Sequence, residues 1–168
     1  MLDDVLTDML LTAEGAATPD DRCVVVEAVE AARRTVEPLA AEAGVTLRAE
    51  TPDGLSAAIP AVTLTRLCVA LLDNAVQHAP AGSEVAIDAR TDAADVVVRV
   101  SDAGPGIDPA DADRIFERFA RAGEAARRRG FGLGLALVRE AAQRHGGSIR
   151  IESTSERGTT FLLRLPAG

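Results

Sequence analysis

Between Pro60 and Pro80, apolar residues fall at Leu64, Leu67, Cys68, Leu71, Leu72 and Ala75. This is the i, i+3, i+4, i+7, i+8, i+11 spacing of a single helical face. Proline suits a first helical turn, where its missing N–H costs nothing, and Ala79-Pro80 stops the run, so a helix is predicted over 61–78. Such a stripe must be buried against a partner, and the next segments supply one. Glu84–Thr91 and Asp95–Ser101 read as strands around the polar turn Asp92-Ala-Ala, a hairpin.

The same rules extend in both directions. A helix is predicted from Val24 to Ala43, stopped by Gly44, then a strand over Val45–Glu50 and a weaker one over Leu55–Ile59. After the hairpin, Asp102-Ala-Gly-Pro-Gly-Ile-Asp-Pro109 is too rich in glycine and proline for regular structure. A short helix is expected over Ala110–Phe119, a mobile Arg-, Ala- and Gly-rich stretch over 120–131, and a helix over Leu133–His145 closed by Gly146-Gly147. Ser148–Ser153 and Thr159–Leu165 complete the pattern as an antiparallel pair. Helices grouped with an antiparallel-leaning sheet predict an α+β sandwich, helices on one sheet face. Residues 2–14 carry Leu2, Val5, Leu6, Met9 and Leu10 on one helical face, ahead of a break over 15–21, and read as the end of a longer helix.

Composition removes several chemistries. The chain has 168 residues, with 18 basic against 26 acidic for a net charge of −8, and every basic residue is arginine. Without lysine there is no Schiff base, no Gly-Lys-Ser/Thr phosphate loop and no strand lysine of the eukaryotic protein-kinase type. No Trp or Tyr is present, and the aromatics are Phe116, Phe119, Phe131 and Phe161, a poor stacking set that argues against nucleic-acid partners. Cys23 and Cys68 stand far apart with no ligand spacing, so they read as plain buried thiols in a reducing compartment, and two isolated histidines give no zinc site. The first residues carry three aspartates and no basic start, so they are neither a signal peptide nor a membrane span.

Three segments can carry chemistry. Asn74 sits at the border of the 61–78 stripe, where an amide meets either a metal or phosphate in a cleft or simply a neighbouring polar group. His78 falls inside that stripe, where packing or capping is expected. Asp102 leaves a strand end with Gly104 and Gly106 behind it, an arrangement open to a flat ligand and equally to an ordinary turn. Gly130-Phe-Gly132-Leu-Gly134 runs into a helix, whose bare N–H groups favour an anion. It is not the dinucleotide fingerprint, because an Arg-rich stretch stands where a strand is required. Arg118, Arg121 and Arg127-Arg-Arg129 either accompany that phosphate cradle or form a solvated run.

The order of motifs is more specific than any one of them. Leu71-Leu-Asp-Asn-Ala-Val-Gln-His78, Asp102-x-Gly-x-Gly106, Ile115-Phe-Glu-Arg-Phe119, Gly130-x-Gly-Leu-Gly-Leu-x-Leu-Val138 and Gly158-Thr-Thr-Phe161 together resemble the catalytic ATP-binding domain of bacterial sensor histidine kinases. That group lies in the gyrase, chaperone, histidine kinase and MutL-type ATPase superfamily. The resemblance implies a two-layer sandwich of the Bergerat type, a mixed and mostly antiparallel five-stranded sheet against three helices, over residues 20–166. It implies that residues 1–17 end the helix of a dimerisation and phosphoacceptor domain. Asn74 would be the Mg²⁺ ligand and, with Arg121, serve transfer of the γ-phosphoryl group of ATP. Asp102 would accept the adenine amino group, with Gly104 and Gly106 under the base and Ile107 also in the cofactor site. Phe116 and Phe119 would anchor the ATP lid. Gly130, Gly132, Leu133, Gly134 and Leu135 would line the phosphate end, Gln77 and His78 the helix wall, and Thr159 or Thr160 would support the adenine through water.

Two positions depart from the family pattern: Ala70, where a second Asn is usual, and Gln77, where Lys or Arg is usual. They motivate an alternative, a nucleotide-binding regulatory pseudokinase; an anti-sigma-factor serine kinase of the same fold is another. The expected partners are ATP, the domain's own phosphoacceptor hairpin in a homodimer, and a response regulator. The expected location is the cytoplasmic part of a membrane-anchored sensor.

Overall fold

The computed structural model describes residues 21–117 and 134–168. The expected helix over 2–14, the domain remnant over 1–17 and the stretch 120–131 lie outside the described residues.

The described chain runs β1 (Cys23–Val24), α1 (Val25–Ala43), β2 (Thr46–Glu50), β3 (Ser56–Ala57), α2 (Ala61–His78), β4 (Glu84–Asp92) and β5 (Asp95–Asp102). A single 3₁₀ turn (Arg114–Phe116), α3 (Gly134–Arg144), β6 (Ser148–Ser155) and β7 (Gly158–Pro166) follow. The main sheet has the order β2-β4-β5-β7-β6, with β2 parallel to β4 and every other pair antiparallel. This is the expected mixed five-stranded sheet against three helices. Period-2 alternation carries the inner face: Val85, Ile87 and Ala89 of β4, Val96, Val98 and Val100 of β5, and Phe161, Leu163 and Leu165 of β7 are all buried. Against them lies the α2 stripe, in which Leu64, Leu67, Cys68, Leu71, Leu72 and Ala75 are fully buried. Removing such large side chains from water, at about 25 cal/mol per Å² of apolar surface, is the main force holding the two layers together.

Three local expectations are corrected. Val24 does not start a helix: Cys23 and Val24 pair with Ala57 and Ser56 in a separate two-stranded sheet, too short for any periodicity to announce. The helix expected over Ala110–Phe119 is, within the described residues, a run of turns and then one 3₁₀ turn, because Asp108 Oδ1 accepts the Ala110 N–H and holds the backbone in a turn. The last hairpin is tighter than read, with β6 reaching Ser155 and β7 starting at Gly158. Among the described residues, no helix is long and apolar enough to cross a membrane. Cys23 and Cys68 are both buried free thiols.

Candidate functional site

The site is built at the end of β5, where the sheet hands the chain to a loop. Asp102 closes that strand opposite Thr159 of β7. Its Oδ1 accepts the Gly104 N–H at 2.7 Å, and the Thr159 backbone N–H also donates to the carboxylate. Burial pushes the Asp102 carboxyl above its ordinary range, while the two N–H groups and nearby His78 pull it part of the way back. A half-buried carboxylate with lone pairs left over is well suited to accept from an amino group.

Glycine lets the surrounding strands close in on this loop. Gly106 has φ +82°, and a Cβ there would strike the Ser155 carbonyl; at Gly158 it would strike the Asp102 carbonyl. Further along the loop, the Ile107 N–H donates to Thr154 Oγ1 at 2.8 Å, and Thr154 Oγ1 lies 3.0 Å from Thr159 Oγ1. Thr159 is buried on the inner side, whereas Thr160 faces the other way and pairs with Ser101 at 2.9 Å. Of the two threonines read from the sequence, Thr159 therefore shares the Asp102 side.

The C-terminal half of α2 forms the adjoining wall. Asn74 is half-buried at the stripe border, as the periodicity indicated, and no described residue hydrogen-bonds its carboxamide. Gln77 Nε2 donates to Asp73 Oδ2 at 2.8 Å, and Ala70 is buried. His78 requires a correction: it is exposed, not packed in the core. Its direction on the helix is the core direction, but by the last turn little side-chain cover is left. What lies there is Gly104, where a Cβ would sit 2.7 Å from the His78 carbonyl oxygen, so the loop meets the helix backbone and leaves the imidazole in solvent.

α3 packs beside α2 and begins with Gly134 and Leu135 half-buried in its first turn. Phe116 packs edge-on against Phe161 of β7, ring centroids 6.0 Å apart and planes at 87°, which fixes the segment leading from the loop. Arg118, Phe119, Arg121, Arg127, Arg128, Arg129, Gly130, Phe131, Gly132 and Leu133 lie outside the described residues. The structure thus gathers Asn74, Gln77, His78, Asp102, Gly104, Gly106, Ile107 and Thr159 around the ends of α2, β5 and β7. Sequence reasoning missed Asp73, which takes the Gln77 amide, and Thr154, which joins the loop to β7.

Residues 60–168 match the family described as Histidine kinase-, DNA gyrase B-, and HSP90-like ATPase. Over 128 residues, 74% of this chain, it is 41% identical to the Sensor-like histidine kinase SenX3 of Mycobacterium tuberculosis (strain ATCC 25618 / H37Rv), and it spans 31% of that protein. Over 142 residues, 83% of this chain, it is 40% identical to the Histidine protein kinase DivJ of Caulobacter vibrioides (strain ATCC 19089 / CIP 103742 / CB 15), and it spans 24% of that one. Among solved structures, the Mycobacterial sensor histidine kinase MprB superposes with a TM-score of 0.78 at 26% identity, covering 87% of this chain and 97% of that one.

Proposed function

Because this chain belongs to the Histidine kinase-, DNA gyrase B-, and HSP90-like ATPase family, we propose that residues 20–166 bind Mg·ATP and hold its γ-phosphoryl group for transfer to a histidine. The acceptor would sit on a dimerisation domain of which residues 1–17 are the end, in a homodimer that signals to a response regulator. The relatives named above are histidine kinases, which favours neither the regulatory pseudokinase nor the anti-sigma-factor serine kinase.

The observation that carries the reading is Asp102, a half-buried carboxylate held by two backbone N–H groups beside glycines that let the loop close against α2 and β6. On this reading its remaining lone pairs accept the adenine amino group. The N–H groups at the start of α3 receive phosphate, with Arg121 at the terminal phosphate. Asn74 offers Mg²⁺ a hard amide oxygen, a fit supported by a half-buried carboxamide that no described residue engages. The ion, when bound, neutralises charge on the phosphates. Transfer then forms a P–N bond to the acceptor imidazole as the γ-phosphorus–oxygen bond to ADP breaks, and the protein's share is position and charge.

Incubation with γ-labelled ATP tests this reading, with and without an added phosphoacceptor hairpin. His78 is exposed and His145 half-buried, and neither lies in a phosphoacceptor motif. Acid-labile label is therefore expected on the hairpin alone. Label on this chain without the hairpin would overturn the placement of the acceptor.

A further inference from the structure

On β6, Ile149 is buried and Ile151 packs against the core, so simple alternation would send residue 153 inward and turn Thr154 outward. The register shifts instead between Ile151 and Ser153, so that Ser153 pairs with Thr160 and Thr154 with Thr159. One extra residue in a strand inverts the facing of everything after it, and bulges of this kind re-aim side chains beside functional sites. Here the inversion puts the Thr154 hydroxyl, not that of Ser153, on the side of buried Thr159.

That hydroxyl has two neighbours. It accepts the Ile107 N–H at 2.8 Å and lies 3.0 Å from Thr159 Oγ1, while the Thr159 N–H donates to Asp102. Thr154 thus ties the far end of the 103–107 loop to the strand that also holds Asp102, the residue just before the loop. Gly106 closes against Ser155 on the same hairpin, so the loop is pressed onto β6 by shape and pinned there by one hydroxyl.

We propose that Thr154 is a positioning residue for base recognition, fixing the 103–107 loop and the Thr159 hydroxyl relative to Asp102. This rests on the reading of Asp102 as the adenine acceptor. Valine at 154 keeps the shape but leaves both the Ile107 N–H and the Thr159 hydroxyl without this partner; serine restores both contacts.

Calorimetric titration with Mg·ATP and Mg·GTP tests the proposal on the wild-type chain and on Thr154→Val, Thr154→Ala and Thr154→Ser, with unfolding temperatures measured alongside. Thr154→Val should weaken ATP binding roughly ten-fold and narrow the ATP-to-GTP preference by a similar factor, with Thr154→Ser close to wild type in both. A Val variant with wild-type affinity and preference would overturn the inference. So would one that melts earlier yet keeps the preference, since that marks a merely structural role. Should the Val variant not fold, Thr154→Ala and Thr154→Ser decide on the same criteria. A wild-type chain that takes up no adenine nucleotide overturns the Asp102 reading and this inference with it, a result distinct from failure of Thr154 alone.

Discussion

Gln77 Nε2 donates to Asp73 Oδ2 at 2.8 Å, one turn back along α2. A residue at a position where the family resemblance implies a cation is therefore engaged with a carboxylate of its own helix. Ala70, one turn before Asn74, contributes no polar group at all. On the proposed reading, metal and phosphate binding along α2 then leans on Asn74. Asn74→Ala is expected to abolish the Mg²⁺-dependent part of ATP binding and all transfer while leaving the melting temperature near wild type. Ala70→Asn should tighten Mg·ATP by about 1 kcal/mol, one added hydrogen bond. Calorimetry with and without Mg²⁺ checks both; metal-independent binding unchanged by Asn74→Ala would favour a regulatory pseudokinase.

On the proposed reading, base selectivity follows from Asp102. Its oxygen suits the adenine amino group but would oppose the guanine carbonyl, acceptor against acceptor. A hydrogen bond to a charged group contributes about 1.5–3 kcal/mol, so ATP should be preferred over GTP by roughly ten- to a hundred-fold. Equal affinities in competitive titration would remove the assignment.

The same carboxylate should make the empty domain sensitive to pH. Burial raises the Asp102 pKa above its ordinary value of 3.8, so the folded state holds that proton more tightly than the unfolded chain. Stability from this group is therefore lost as pH rises through the folded pKa. Asp102→Asn removes the buried charge, and should melt higher than wild type near neutral pH while binding ATP far more weakly. Thermal melts down to the ordinary carboxylate range should show the gap closing; a gap that widens on acidification contradicts the sign.

The two thiols should be silent in the folded protein. Burial pushes Cys68 up to about 12 and raises Cys23 as well, and both are shielded from solvent. Iodoacetamide is expected to label neither thiol under native conditions and both in denaturant, as read by mass spectrometry. Rapid native labelling of Cys68 would show that the α2 layer opens locally.

Most of this architecture could be read in advance because its elements are long and one-sided. The α2 stripe and the alternation of β4, β5 and β7 state their buried faces residue by residue. What escaped depends on distant contacts. The β1–β3 pairing involves two residues on each strand, and the β6 bulge is visible only once Thr154 is seen opposite Thr159. His78 shows the limit of periodicity: the pattern gives a direction, but only the packed structure says whether anything stands in that direction. Asp102 and the glycines after it were legible as a loop; the hydroxyl that pins the loop lies on another hairpin and was not.

The position of β7 has a consequence for how the molecule comes into being. The strand made from residues 158–166 is interior, with β5 on one side and β6 on the other, and its register joins Asp95 to Pro166 and Asp102 to Thr159. As a ribosome delivers the chain, β5 has an open edge until those residues emerge, and β6 has no sheet to join. Such distant pairing is slow compared with closing a local hairpin, and an open apolar strand invites wrong partners. The Asp102–Thr159 contact belongs to that same late seam, so the place proposed for the base is assembled in the step that completes the sheet.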